Sequence, residues 1–167
     1  TTASIRNSSV ALGAGGVSAT SMAGGLAGYS FGGDIMNSYA TVSTNVTATA
    51  GNNAGGLAGQ FGSTSAVGLM YGSYATVAGN VSVTGSYAGG LVGQLSVKQV
   101  IKSYAVVAWQ ISGTNYVGGL AGALFTSGPV PDPTVSRSYS NFGSISSTGL
   151  RIGGLVGYSE GNLDNSY

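Results

Sequence analysis

Apolar residues fall into short, regularly recurring slots along the chain and never gather into a long run. Four residues before the tyrosine of each Ser-Tyr pair stands Ile35, Met70, Val100, Val135 or Leu163, with Ile5 in the equivalent first place. Three residues after the same position stand Leu12, Val42, Val77, Val107 and Phe142. A second segment follows, Val17-Ser18-Ala19-Thr20. Its counterparts are Val46-Thr47-Ala48-Thr49, Val81-Ser82-Val83-Thr84, Ile111-Ser112-Gly113-Thr114 and Ile145-Ser146-Ser147-Thr148. A third segment sets Leu26, Leu57, Leu91, Leu120 and Leu155 between glycines. Alternation with β-branched residues, bounded by Gly and Asn, predicts short strands. No stretch sustains a helical period.

The slots repeat at a nearly fixed interval. Tyr39, Tyr74, Tyr104 and Tyr139 are separated by 35, 30 and 35 residues, and the Gly-Gly-Leu starts at Gly24, Gly55, Gly89, Gly118 and Gly153 step by 31, 34, 29 and 35. A period near 30 with small insertions predicts stacked coils rather than a globule. The expected fold is all-β, a parallel β-solenoid (β-helix) of about five coils of about 30 residues, with three short strands per coil. The whole chain, 1–167, reads as one repeat domain. Its coils begin near Ile5, Ile35, Met70, Val100 and Val135, and a partial coil begins at Leu163. Leu26, Leu57, Leu91, Leu120 and Leu155 are the expected inward column. Glycine is expected to turn corners at positive φ and to keep the cross-section narrow. The apolar residues before and after the Ser-Tyr pair are out of phase, so a bend lies between them.

Composition narrows the functional classes. Only 5% of residues are charged, and the chain holds no His and no Cys. A disulfide scaffold, a Cys/His zinc site and His- or Cys-based catalysis are excluded. Five scattered cations make no nucleic-acid patch. Gly, Ser, Thr or Asn interrupts every apolar stretch, so no membrane-spanning helix is expected. The segment Thr1-Thr2-Ala3-Ser4 lacks a basic and apolar leader, which is expected if a secretory signal has already been removed.

Gly-Gly-Leu-Val-Gly downstream of Asn-Ser-Tyr-Ala-Thr-Val resembles the GLUG-motif repeat of bacterial secreted and cell-surface proteins. Lys102-Ser103-Tyr104 through Gly118-Gly119-Leu120 is a typical unit. The first coil departs from it, with Ser9 in the tyrosine slot, as do insertions at 60–69 and 123–134, the second holding Pro129-Val130-Pro131-Asp132-Pro133. The resemblance implies an extracellular or cell-surface setting, as in adhesin-like proteins and protease stalks. There the repeats serve as spacers or binding surfaces rather than catalytic domains.

The candidate chemistry is sparse. Many β-helices cleave polysaccharides, but that reaction needs two facing carboxylates. Asp34 lies early in the stack, Glu160 and Asp164 lie late, and Asp132 lies in a loop, so no enzyme activity, metal or cofactor is expected. Glycines without a following Lys make no phosphate cradle. Strand alternation sends Tyr39, Tyr74, Tyr104 and Tyr139 outward as an aromatic rail suited to sugar rings or a protein, although the same stack would simply stiffen the coil. Thr47, Ser82, Ser112 and Ser146 form one outward hydroxyl row, and Thr49, Thr84, Thr114 and Thr148 a second. Such an array could order water at an ice surface. The uncapped appearance of both ends makes end-to-end stacking of copies, or of neighbouring solenoid repeats, into a fibre a further expectation. The leading expectation is a non-enzymatic structural or adhesive module, with ice binding and glycan binding as alternatives. Its expected partners are itself, glycans or a host or cell surface.

Overall fold

The computed structural model describes residues 4–63, 68–126 and 132–167. Parts of both insertions, including 127–131, lie outside the described residues, as do residues 1–3 at the N-terminus. Among the described residues the chain is all-β and winds as a solenoid whose neighbouring strands pair in parallel. No helix of the described residues is long and apolar enough to cross a membrane.

Each coil crosses five strips of sheet. The first comprises Ile5–Arg6, Ile35–Met36, Leu69–Tyr71, Gln99–Ile101, Thr134–Ser136 and Asn162–Asp164. The second comprises Ser9–Leu12, Tyr39–Val42 and Tyr74–Val77, and the third Val17–Ala19, Val46–Ala48 and Val81–Val83. Two longer strands, Tyr104–Gly113 and Tyr139–Ser147, run through the corner and join these two strips into one sheet. The fourth strip holds Met22–Gly24, Asn53–Gly55, Tyr87–Gly89, Tyr116–Gly118 and Arg151–Gly153. The fifth holds Ala27–Ser30, Ala58–Gly62, Val92–Ser96, Ala121–Leu124 and Val156–Ser159. The three expected segments thus resolve into five strands, because a corner divides the first segment and another divides the third.

The first corner has a defined chemistry. Asn7, Asn37, Lys102, Arg137 and Asn165 all adopt φ between 46° and 50°, and Gly72 adopts 58° in the same place. Each directly precedes the serine of the repeat. A left-handed residue turns the backbone out of the sheet, and the ladder N–H that follows loses its strand partner. The serine hydroxyl replaces that partner. Oγ of Ser38, Ser73, Ser103 and Ser138 accepts the N–H of the serine one coil earlier at 3.1–3.2 Å. Each hydroxyl also donates to the carbonyl two residues back, as Ser38 does to Met36 at 2.8 Å. These serines are buried. They are satisfied on both sides, as buried polar groups must be.

The second corner is steric. The motif glycines do not take positive φ, contrary to the expectation that they turn corners by that freedom. Their requirement is close approach. A Cβ on Gly89 would lie 2.8 Å from the Cα of Ala121, and one on Gly93 would lie 2.6 Å from the carbonyl of Gly59 and 2.8 Å from that of Tyr87. A Cβ on Gly90 would strike the Gly119 carbonyl of the next coil. The fourth and fifth strips therefore pack backbone on backbone, and the leucine after the glycine pair turns inside. Leu57, Leu91 and Leu120 are fully buried beside Phe61, Leu95 and Leu124, while Leu26 and Leu155 pack against this cluster half-buried. A second cluster, built around Val42, Val46, Val77, Val81, Val107 and Ile111, fills the space under the second and third strips.

Candidate functional site

The outward faces carry whatever contacts the solenoid makes, so each candidate residue is placed there first. In the second strip Ala40, Val42, Ala75 and Val77 face the core, and alternation turns Tyr39 and Tyr74 outward. The register pairs Tyr39, Tyr74, Tyr104 and Tyr139 in adjacent coils. Ring centroids are 4.7 Å apart for Tyr39–Tyr74 and for Tyr74–Tyr104, and 4.9 Å for Tyr104–Tyr139, with interplanar angles of 1° to 4°. Tyr167 extends the stack at 5.6 Å and 12°. Coil spacing sets this distance, since strands lie about 4.8 Å apart. The rings therefore cover one another's faces and present edges and hydroxyls outward. Burial, followed by the neighbouring Tyr74 and Tyr139 hydroxyls, raises the Tyr104 phenol above its ordinary pKa.

The hydroxyl rows of the third strip are also in register. Thr47 pairs with Ser82, Ser82 with Ser112, and Ser112 with Ser146. The Thr47 and Ser82 hydroxyls lie 3.1 Å apart, within hydrogen-bonding reach. In the second row the hydroxyls are committed to the backbone. Thr84 donates to the Thr49 carbonyl at 3.0 Å and Thr114 to the Thr84 carbonyl at 2.7 Å. Thr148 is exposed at the end of this row. The rows stiffen the stack as much as they face solvent.

The carboxylates are dispersed. Asp34 pairs with Arg6 at 2.6 Å and accepts the Leu69 N–H at 3.2 Å. Glu160 accepts the Thr126 N–H at 2.9 Å and its hydroxyl at 3.0 Å, and the Tyr158 hydroxyl donates to it at 3.1 Å. The Thr126 N–H, foremost, holds the Glu160 carboxyl below its usual range, and the bond to Glu160 raises the Tyr158 phenol. Among the described residues no group of three or more Asp or Glu side chains converges on a metal-sized space.

Two features escape the repeat-level reading of the sequence. One is an aromatic cluster over the fourth and fifth strips. Tyr87 and Tyr116 stack at 5.1 Å, Phe125 meets Tyr87 edge-on at 5.9 Å, and the Arg151 guanidinium lies 5.3 Å from Tyr116 and 4.7 Å from Tyr158. Arg151 also donates to the Tyr116 hydroxyl at 3.0 Å. The available signal was a tyrosine two residues before the glycine pair in two successive coils, Tyr87-Ala88-Gly89 and Tyr116-Val117-Gly118. The other feature is Trp109, which stands 67% exposed at the corner between the second and third strips.

Every outward row therefore repeats a slot of the coil. The unit that carries those slots is Gly-Gly-Leu, then an Asn-Ser-Tyr corner, then a Val-Thr-Ala-Thr segment. Residues 19–49 match the GLUG motif. The match spans the first glycine corner, the left-handed Asn37, Ser38, Tyr39 and the segment ending at Thr49. It covers under a fifth of the chain and is consistent with a GLUG-repeat protein. The later coils place the same slots in register with that GLUG unit. No curated protein and no solved structure matches the chain.

Proposed function

We propose that this chain is a non-enzymatic structural and adhesive module that works outside the cell, a stiff segment whose outward faces touch a surface. The observation that carries the reading is the coil-to-coil continuity of its ladders. Backbone pairs run across the coils between Ile5 and Asp164, the serine hydroxyls bond from Ser8 to Ser166, and the tyrosine stack runs from Tyr39 to Tyr167. Such a stack holds its outer rows at a fixed spacing, which suits contact with an extended partner. The non-enzymatic reading is supported by a sequence with no His or Cys and by Asp34 and Glu160 being held by different neighbours, Arg6 and Thr126. The GLUG motif supports a repeat module, and the surface setting follows from the resemblance described above.

Adhesion is tested with fluorescent beads coated with the intact chain and passed over immobilised collagen, fibronectin and neutral polysaccharide under flow. Retention on at least one surface well above that of albumin-coated beads is expected. Retention equal to albumin on all of them would overturn the adhesive reading and leave a spacer.

A further inference from the structure

The corner between the second and third strips is not uniform along the solenoid. Three residues separate Val107 from Ile111, and two separate Phe142 from Ile145. The ladder pairs Val107 with Phe142 and resumes with Gln110 opposite Ser144, so Ala108 and Trp109 together face Gly143. That is a β-bulge, a device that re-aims a side chain. Gly143 lets the bulge sit close, because a Cβ there would lie 2.6 Å from the Trp109 carbonyl and 2.7 Å from that of Ala108. Asn80 braces the other side, accepting the Gln110 N–H at 3.1 Å and donating to Asn45 Oδ1 at 3.3 Å.

The bulge opens a shallow hollow of about 390 Å³ lined by Asn80, Ala108, Trp109, Gln110, Gly143 and Ser144. This falls within the range of small-ligand sites, about 300–1,000 Å³. We propose that the hollow binds a neutral sugar ring of a glycan, with Trp109 as the stacking platform and Gln110 and Ser144 as partners for ring hydroxyls. Trp109 has no stacked ring or cation among the described residues, unlike the tyrosines, whose faces are already covered. An indole face carries negative π density that attracts the C–H edges of a pyranose. The side chains of Gln110 and Ser144 make no hydrogen bond among the described residues. They supply an amide donor and acceptor and a hydroxyl beside the indole. No charged side chain lines the hollow, which selects an uncharged sugar over a uronic or sialic acid. A protein interface of ordinary size would extend the apolar area around Trp109, whereas its neighbours here are one alanine and polar side chains. The site is separate from the module reading, because a chain that bound no sugar would keep the same fold and outer rows.

Trp109 is the sole tryptophan, so its emission reports on this hollow alone. The intact chain is titrated with cello-, laminari-, manno- and chito-oligosaccharides at millimolar concentration, with an oligogalacturonate as charged control. Fluorescence and calorimetry are read together. A saturable blue shift with at least one neutral oligosaccharide and none with the charged control is expected. Trp109→Ala weakens binding by about ten-fold or more, while Trp109→Phe retains most of it and Gln110→Ala loses part. Circular dichroism melts of all three variants match the parent, because Trp109 is two-thirds exposed and Gln110 is exposed as well. Absence of both shift and heat with every neutral oligosaccharide would overturn the proposal, as would undiminished binding by Trp109→Ala. A blue shift that grows with protein concentration in the absence of sugar would also overturn it, by assigning the indole to a second copy. Bead retention on collagen or fibronectin is independent of these outcomes, whereas retention on neutral polysaccharide that Trp109→Ala abolishes belongs to this hollow and not to the tyrosine or hydroxyl rows.

Discussion

Two of the corners of each coil look alike in the sequence, as short fixed words, but they work by opposite means. At Gly-Gly-Leu the repeat exists because atoms must be absent, since the backbones of adjacent strips and coils occupy the space of a side chain. At Asn-Ser-Tyr it exists because atoms must be present, since a hydroxyl replaces a ladder bond that the left-handed residue breaks. The glycine corner therefore tolerates no addition where a neighbouring coil packs on it, and the serine corner no deletion. A repeated word in a solenoid is not evidence of one kind of constraint, and substitutions separate the kinds.

The largest effect is expected at the glycine corner. Gly90→Ala places a methyl against the Gly119 carbonyl and 2.9 Å from the Ala105 Cβ, with a core residue, Ile111, at 3.3 Å. The neighbour that must move is ladder backbone, so relief requires separating two coils. A loss of about 3 kcal/mol or more is expected, read as a shift in urea midpoint at constant slope. Gly154 occupies the same motif slot, but a Cβ there meets nothing within 4 Å. Gly154→Ala is expected to stay within about 0.5 kcal/mol of the parent. Equal costs at the two positions would mean that glycine is needed for backbone freedom rather than for space.

The serine corner comes next. Ser73→Ala removes the acceptor of the Ser38 N–H at 3.2 Å, a buried bond between coils, and the donor to the Tyr71 carbonyl at 3.1 Å within its own coil. Leaving a buried donor unmatched costs about 1–3 kcal/mol. Ser73→Cys, with a weak thiol in the same place, is expected to fall between alanine and the parent. Amide exchange at Ser38 is the direct check, and faster exchange there in Ser73→Ala is the expected result. Unchanged protection would mean that the hydroxyl is incidental to the corner.

The difference between the corners also decides what a sequence can reveal. The period and the apolar slots were legible because each coil must place its leucine and valines over those of the next, and the register does pair Ile35, Met70, Val100 and Val135. The bend before Ser-Tyr could be inferred from phase but not located, because Asn, Gly, Lys and Arg all occupy the left-handed position and share no side-chain chemistry. The tyrosine stack was legible from alternation and coil spacing, but not that its rings cover one another's faces and leave only edges and hydroxyls outward. Alternation gives the face on which a residue lies, but not the χ angles that lay one ring on the next. Trp109 was invisible to repeat logic for a different reason. Its coil keeps the three-residue corner of the two coils before it, where Thr44 and Gly79 fill the same slot, and it is the next coil that is one residue shorter, so a single indole in that slot gives no period to read.

The smallest effect concerns the row of phenols, and its sign follows from linkage. Tyr104 is raised above the ordinary value of about 10, first by burial and then by the hydroxyls of Tyr74 and Tyr139. A group that holds its proton more tightly when folded contributes stability that is complete below its unfolded pKa. That contribution is lost as pH rises through the folded pKa. The urea midpoint should therefore be flat through neutral pH and fall above about pH 10. Burial is the larger cause, and repulsion adds to it, because ionising one ring places a phenolate in a column whose neighbours are 4.7 and 4.9 Å away by centroid. Tyr104→Phe keeps the stack and removes the central charge, so its midpoint should fall less steeply over the same range while matching the parent at pH 7. The phenolate absorbance of the parent should rise later than that of the variant's unfolded chain. Parallel pH profiles for parent and Tyr104→Phe would show that the rings titrate independently. The tyrosine column would then be held by ring contact alone, and its hydroxyls would be left entirely to whatever the outer face meets.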